Sequence, residues 1–277
     1  MKNLRIIPKL DIKNLNLVKG IGLEGLRVLG DPKLFIKNYY LQGADEIIYH
    51  DVVASLYGRN QLSNLIKRTV EDCFIPIIVG GGIKNLDDII EALNSGADRI
   101  FVNTSFIKNP EFVKESVNYF GSSTIMASIE VLRNDKKFTC FADFGREDMN
   151  LDLLENIKFL QDNGVSELIV TSIDSDGRGE GYDLKIAELI SKHCEIPYIL
   201  NGGFAKISHF EDVINTCDPS GIALGSLLHY QNKHIPSSAQ EGNKSFLKSK
   251  KEYLNFENIT IKEIKNFLKL KKININI

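Results

Sequence analysis

The chain has 277 residues, of which 43% are hydrophobic and 25% charged, and 36 acidic against 34 basic side chains leave a formal charge of −2. This is the composition of a globular protein; it excludes collagen, coiled coil and general disorder, and it provides no overall field to attract nucleic acid. Apolar runs such as residues 75–79 fall far short of the roughly 18 residues that span a bilayer, and the opening MKNLRIIPKL has no signal-peptide core, so a cytoplasmic protein with no membrane contact is expected.

Short Ile- and Val-rich runs mark eight predicted strands, at residues 5–12, 46–50, 76–79, 99–102, 124–129, 167–170, 197–200 and 221–223. Amphipathic stretches separate them. In residues 85–94, Leu86, Ile89, Ile90 and Leu93 fall on one helical face while Asp87, Asp88 and Glu91 lie on the other. Residues 231–255 break the alternation with a polar, lysine-rich segment containing Pro236, read as a surface insertion before a last helix at 261–270. Cys73, Cys140, Cys194 and Cys217 form no CxxC pair and have no histidine at ligand spacing, so buried thiols are expected and no metal site.

The chain also repeats. Gly43-Ala-Asp-Glu-Ile-Ile aligns with Gly164-Val-Ser-Glu-Leu-Ile, and Ile75-Pro-Ile-Ile-Val-Gly-Gly-Gly with Ile196-Pro-Tyr-Ile-Leu-Asn-Gly-Gly, both at an offset of 121 residues. Four strands duplicated once give eight βα units, and eight parallel strands with right-handed crossovers close into a TIM barrel, here a single domain over 1–277. An open doubly wound sheet has no need of two equivalent halves.

In such a barrel, function sits at the C-terminal strand ends. Those ends carry Asp11, Asp51, Gly81-Gly82, Asn103-Thr104-Ser105, Glu130, Thr171 with Asp176-Gly177, Gly202-Gly203 and Gly225-Ser226. Glycines allow backbone N–H groups to approach an anion, and neighbouring hydroxyls add donors. Two cradles result: Gly81, Gly82, Asn103 and Thr104 from the third and fourth units, and Gly202, Gly203, Gly225 and Ser226 from the seventh and eighth. The half-barrel symmetry puts them on opposite sides of the mouth, so a long ligand with a phosphate at each end is expected. Between them Asp11 and Glu130 face one another as a candidate acid and base, with Lys19 in the first loop able to close over a phosphate. At the opposite end Arg5, Glu46, Arg99 and Glu167 start strands one, two, four and six. Spacing alone does not choose between a salt-bridge plug and a gate for a small neutral molecule.

RIIPKLDI around Asp11, VKG around Lys19, GADE at 43–46, IPIIVGGGI at 75–83, the Asn103-Thr-Ser turn, TSIDSDG and GYD within 171–183, and NGG at 201–203 together resemble the cyclase subunit of imidazole glycerol phosphate synthase. The likeness runs from Arg5 to about Tyr230 and resumes at Ile259. It implies a cofactor-free TIM barrel paired as a heterodimer with a glutaminase subunit on its bottom face. Ammonia then passes along the barrel axis to a bisphosphorylated aminoimidazole carboxamide ribonucleotide, giving imidazole glycerol phosphate and the aminoimidazole carboxamide ribonucleotide. By position, the resemblance makes Asp11 the principal acid/base and Glu130 the second, and it assigns the phosphates to the two cradles and Lys19 to a closing loop. The family's four-charge gate falls on Arg5, Glu46, Arg99 and Glu167, with arginine where lysine is usual, and Asp98 falls where the family contacts its glutaminase.

The departures lie at the mouth. Glu130 stands where aspartate is usual, Lys9 where cysteine is, Val53 where threonine is, and Gly145-Arg-Glu-Asp-Met-Asn where the family has a basic stretch ending Thr-Gly. They motivate a second reading: a related subunit that delivers ammonia to a separate sugar amidotransferase in acetamidino-sugar synthesis for surface polysaccharides. A third reading, an isomerase of the related phosphoribosyl intermediate, shares the half-barrel repeat but lacks the TSIDSDG, GYD and four-charge features.

Overall fold

The computed structural model describes residues 3–54, 62–71, 73–231 and 256–276. The β-branched runs become strands, and the polar residues that interrupt them become helix caps. Asp31 accepts from the Lys33 amide and Pro32 sits at the first helical position, which starts α1 (Pro32–Leu41). Asn85 and Asp88 form a reciprocal capping box at the start of α3 (Leu86–Asn94), and Thr260 with Glu263 forms another at α10 (Ile261–Leu270). Both helices lie where the periodicity predicts them. Asp183, the acid of the GYD motif, caps α7 (Leu184–His193) by accepting from the Lys185 and Ile186 amides.

Eight parallel strands form the barrel: β1 (Arg5–Lys13), β4 (Ile47–Asp51), β5 (Ile77–Gly80), β6 (Arg99–Val102), β7 (Ile125–Asn134), β10 (Leu168–Ser172), β11 (Tyr198–Asn201) and β12 (Gly221–Leu224). Each pairs with the next in that order; β12 pairs with β1, and the β7–β10 pairing completes the ring. The outer layer is α1, α2 (Leu62–Val70), α3, α4 (Thr104–Lys108) with α5 (Glu111–Phe120), α6 (Leu153–Asp162), α7, α8 (Ile207–Thr216), and α9 (Ser226–His229) with α10. All eight predicted strands are barrel strands. Most of the predicted insertion lies outside the described residues.

Two hairpins were not anticipated. β1 overruns the barrel and folds back as β2 (Asn16–Ile21) and β3 (Glu24–Gly30), while β7 does the same as β8 (Lys137–Ala142) and β9 (Glu147–Asp152). The first hairpin turns through Asn14-Leu15 and Gly22-Leu23, all four at positive φ, the pairing expected of tight type I′ turns. Strands one and five thus carry equivalent flaps.

Strand alternation sorts the interior into layers. Ile7, Ile48, Ile78, Phe101, Met126, Ile169, Ile199 and Ala223, one from each strand, form a buried apolar octet on the axis. The larger core lies between strands and helices. A third cluster, including Val18, Leu23, Val53, Phe144 and Ile173, packs the hairpins over the mouth. None of the four cysteines is in a disulfide; Cys73, Cys140 and Cys217 are buried, but Cys194 ends α7 half-buried, correcting the expectation that all four are core thiols. Among the described residues no helix is long and apolar enough to cross a membrane.

Candidate active site

On β1 the inward parity that places Arg5 at the bottom and Ile7 in the octet carries Lys9 and Asp11 into the mouth. Asp11 is 1% exposed. Lys9 Nζ donates to its Oδ1, and Lys19 Nζ to its Oδ2 at 3.2 Å. Burial alone would raise the Asp11 carboxyl, but these two ammonium groups outweigh it and hold the group well below the usual carboxylate range. Lys19 lies on strand β2, buried, with Nζ also 2.6 Å from Asp176 Oδ2; burial would lower it, and Asp176 and Asp11 raise it instead. Expected in the first loop and able to close over a phosphate, it lies on the hairpin that forms that loop and is folded into the mouth.

Glu130 occupies the equivalent position in the second half. Asp11 pairs in register with His50 and Glu130 with Thr171, and His50 and Thr171 are 121 residues apart. Three strands separate β1 from β7 in either direction, so the two carboxyl groups arise from opposite walls. Glu130, 2% exposed, accepts one hydrogen bond, from the Gly145 amide at 2.8 Å. That amide is aimed by a turn in which Asp143, Phe144 and Gly145 all have positive φ. Burial pushes the Glu130 carboxyl up to about 7, against the smaller opposing pulls of the Gly145 amide and Lys9. One carboxylate is therefore a fixed anion and the other exchanges its proton near neutrality.

The two glycine pairs adopt matching conformations: Gly81 and Gly82 have φ of 97° and 74°, Gly202 and Gly203 of 109° and 88°. A cavity of about 310 Å³ is lined by the first pair together with His50, Asn103, Thr104 and Glu130. The second cradle encloses only about 10 Å³ between Gly202, Gly203, Gly225, Ser226, Asp176 and the Phe256 ring. Among the described residues three buried side-chain atoms have no hydrogen-bond partner: Asn103 Oδ1, Ser226 Oγ and His50 Nδ1. Two belong to the cradles, and the third lies 3.9 Å from Asp11 Oδ1. Buried polar atoms are normally satisfied, so these three point to ligand contacts.

Other expected contacts have partners within the chain. Asp51 accepts from the Val53 and Ala54 amides, and burial lifts its carboxyl to about 6. Thr104 Oγ1 accepts from the Asp143 amide, and Thr171 Oγ1 from Asn201 Nδ2. Gly177 lies so close to Gly20 that a Cβ would sit 2.4 Å from its carbonyl oxygen.

At the other end the four predicted charges meet. Arg5 donates to both oxygens of Glu46 and to Glu167, Arg99 donates to Glu167 at 2.6 Å, and Ser220 also bonds Glu167. Burial would raise Glu167, but the two arginines and Ser220 hold it below its usual range. Asp98 stands beside this chain of ion pairs, with Oδ2 accepting from the Ile77 amide.

A family model described as a histidine biosynthesis protein matches residues 5–234. A Legionella pneumophila protein named imidazole glycerol phosphate synthase subunit HisF is 44% identical over 211 residues, covering 76% of this chain and all of the relative. Relatives of the same name from Clostridium botulinum (strain Okra) and Methanopyrus kandleri are each 36% identical, covering 96% and 82% of this chain and 95% and 90% of their own lengths. This chain belongs to the HisF family of imidazole glycerol phosphate synthase subunits. Family membership gives it the cyclase function, a lyase-type step of histidine biosynthesis, and does not favour the sugar-pathway reading.

One group at the mouth lies outside the residues that the strand ends and the family likeness single out. His50 is a buried imidazole facing Asp11, packed edge-on against Phe101 and Phe144. Burial, then the Lys9 charge, lower it to about 3, so it stays neutral. The signal was available: His50 shares the inward parity of Ile48 on β4.

Proposed function

We propose that the mouth of this barrel joins ammonia to a bisphosphorylated aminoimidazole carboxamide ribonucleotide, forming imidazole glycerol phosphate and releasing the aminoimidazole carboxamide ribonucleotide. The observation that carries this reading is the pair of opposed glycine cradles, each with an orphaned buried polar atom, flanking two carboxyl groups held in opposite protonation regimes. Each cradle takes one phosphate, with Gly81, Gly82, Asn103 and Thr104 at one end of the substrate and Gly202, Gly203, Gly225 and Ser226 at the other. Asp11 accepts hydrogen bonds and stabilises developing positive charge. Glu130 gives and takes the proton, since its affinity is matched to neutral pH. The neutral His50 imidazole adds an acceptor between them.

Ammonia is supplied by a glutaminase docked on the bottom face of this cytoplasmic enzyme, with Asp98 among its contacts. It enters through the ion-paired residues Arg5, Glu46, Arg99 and Glu167. The apolar octet above them suits a small neutral molecule and resists an ion.

The test is incubation of the purified chain with the bisphosphorylated ribonucleotide and ammonium salt at mildly alkaline pH, without glutaminase, following loss of the substrate chromophore. Turnover that disappears in Asp11→Asn is expected. A folded protein with no turnover, beside a working control enzyme, would overturn the reading.

A further inference from the structure

Lys9 is 5% exposed and lies in the mouth with no counterpart in the second half of the barrel. In register it pairs with Ile48, whereas Ser128 pairs with Ile169; Ile48 and Ile169 are 121 residues apart, so serine stands at the equivalent place. Its backbone is fixed from behind: its carbonyl accepts from His229 Nε2 at 3.0 Å, and the Tyr39 hydroxyl donates to His229 Nδ1 at 2.7 Å. Its ammonium bonds Asp11 and lies 5.8 Å from the centre of the Phe144 ring, in the turn that presents the Gly145 amide to Glu130. Lys19 is shared between Asp11 and, at shorter range, Asp176, so Lys9 is the cation that Asp11 has to itself, and it also borders the turn that holds Glu130. Such a buried ammonium is costly unless its field is used.

We propose that Lys9 is a positioning residue of the reaction, whose buried ammonium divides the labour of the two carboxyl groups by fixing Asp11 as the anion and setting the proton affinity of Glu130. This rests on the cyclase reading of the mouth. The charged and titratable groups that share its surroundings are Asp11 on β1, Lys19 on β2, His50 on β4, Glu130 on β7, Arg146 after the Phe144 turn, Asp176 after β10 and His229 on α9. Of these, Glu130 feels Lys9 and Arg146 as cations and Asp11 as an anion. Removing Lys9 withdraws one attraction and leaves the repulsion, so Glu130 must hold its proton to higher pH.

The test compares Lys9→Met and Lys9→Arg with the parent in two ways. In the ammonium-dependent assay, the limb of the pH–rate profile belonging to Glu130 moves to higher pH in Lys9→Met, by roughly one unit for the loss of a nearby buried charge, and returns towards the parent in Lys9→Arg. The direction is the same whether the reaction uses Glu130 charged or neutral. In parallel, carbon-13 NMR follows the Glu130 carboxyl, identified by its loss in Glu130→Gln, and needs no turnover. A limb and a carboxyl titration both unmoved in folded Lys9→Met would overturn the proposal. Absence of turnover in the parent would overturn the cyclase reading, and the carboxyl titration then decides whether Lys9 governs Glu130.

Discussion

Lys19 Nζ lies 2.6 Å from Asp176 Oδ2, a contact between the first hairpin and the loop after β10 across 157 residues of chain. The Gly22 amide, donating to the Asp176 carbonyl at 2.8 Å, adds a second tie between the same segments. Replacing Lys19 with methionine leaves Asp176 a buried carboxylate without its cation. We expect a loss of about 3–5 kcal/mol in denaturant unfolding at neutral pH. In the parent the depressed Asp11 carboxyl gives stability that is present above its unfolded value of 3.8 and is lost as pH falls towards its lower folded value, so the gap between variant and parent should narrow in acid, as the carboxylates that Lys19 serves take up protons.

Glu130→Gln should separate stability from activity. Because the folded carboxyl holds its proton up to about 7 against 4.5 when unfolded, its contribution is fully present below 4.5 and is lost as pH rises through 7. The variant's gain in melting temperature over the parent should thus grow from pH 5 to pH 8 and then level off. Ammonium-dependent turnover should fall by roughly 10²–10⁴-fold, the usual worth of a positioned proton carrier. A variant that melts with the parent at every pH would show that Glu130 is not buried as a neutral acid.

At the bottom, Arg5→Ala removes one of two arginines from Glu167, whose side chain is 3% exposed. Arg99 and Ser220 remain, so the destabilisation should fall below that of a fully orphaned ion, at about 1–3 kcal/mol by denaturant titration. Ammonium supplied from solution should still support turnover while glutamine-dependent turnover with the glutaminase declines.

Asp98→Lys reverses an exposed charge at the same face. Calorimetric titration with the glutaminase should show weaker association, while ammonium-dependent turnover stays near the parent's. Unchanged affinity would remove this face from the proposed contact.

The barrel was legible because its signals are redundant: eight β-branched runs, a repeat at constant offset and helix caps all favour one topology. The hairpins were not, for a local reason. In the first hairpin each tight turn puts a leucine, Leu15 after Asn14 and Leu23 after Gly22, at the second positive-φ position, where glycine would have completed the type I′ signal. In the site, Asp11 and the glycines were readable from strand ends alone. That Lys19 sits on a strand within the first loop was not readable because β2 was unseen, and the partnerships of Lys9 and His50 arise only when the ring closes and inward-facing residues of neighbouring strands meet.

Two glycines offer a control on the cradle. A Cβ on Gly81 would sit 2.1 Å from the Asp51 carbonyl oxygen, while Gly43, also at positive φ, has open space around it. Gly43→Ala should cost about 1–2 kcal/mol through backbone strain alone. Gly81→Ala should cost about 4 kcal/mol or more, or fail to accumulate as folded protein. Equal costs from denaturant curves would mean that the close approach at Asp51 relaxes freely.

The ion-paired residues at the bottom carry a mechanical consequence. Glu46, Arg5, Glu167 and Arg99, with Ser220, lace together the starts of five barrel strands drawn from both halves, like a hoop around the base of a cask. At the mouth the chain of buried ion pairs is shorter: Lys9, Asp11, Lys19 and Asp176 join β1, its hairpin and the loop after β10. Thermal breathing should therefore be graded from end to end, and deuterium should enter the flap amides long before those at the base of the staves. The end that must admit and release a large ligand is the one left free to open.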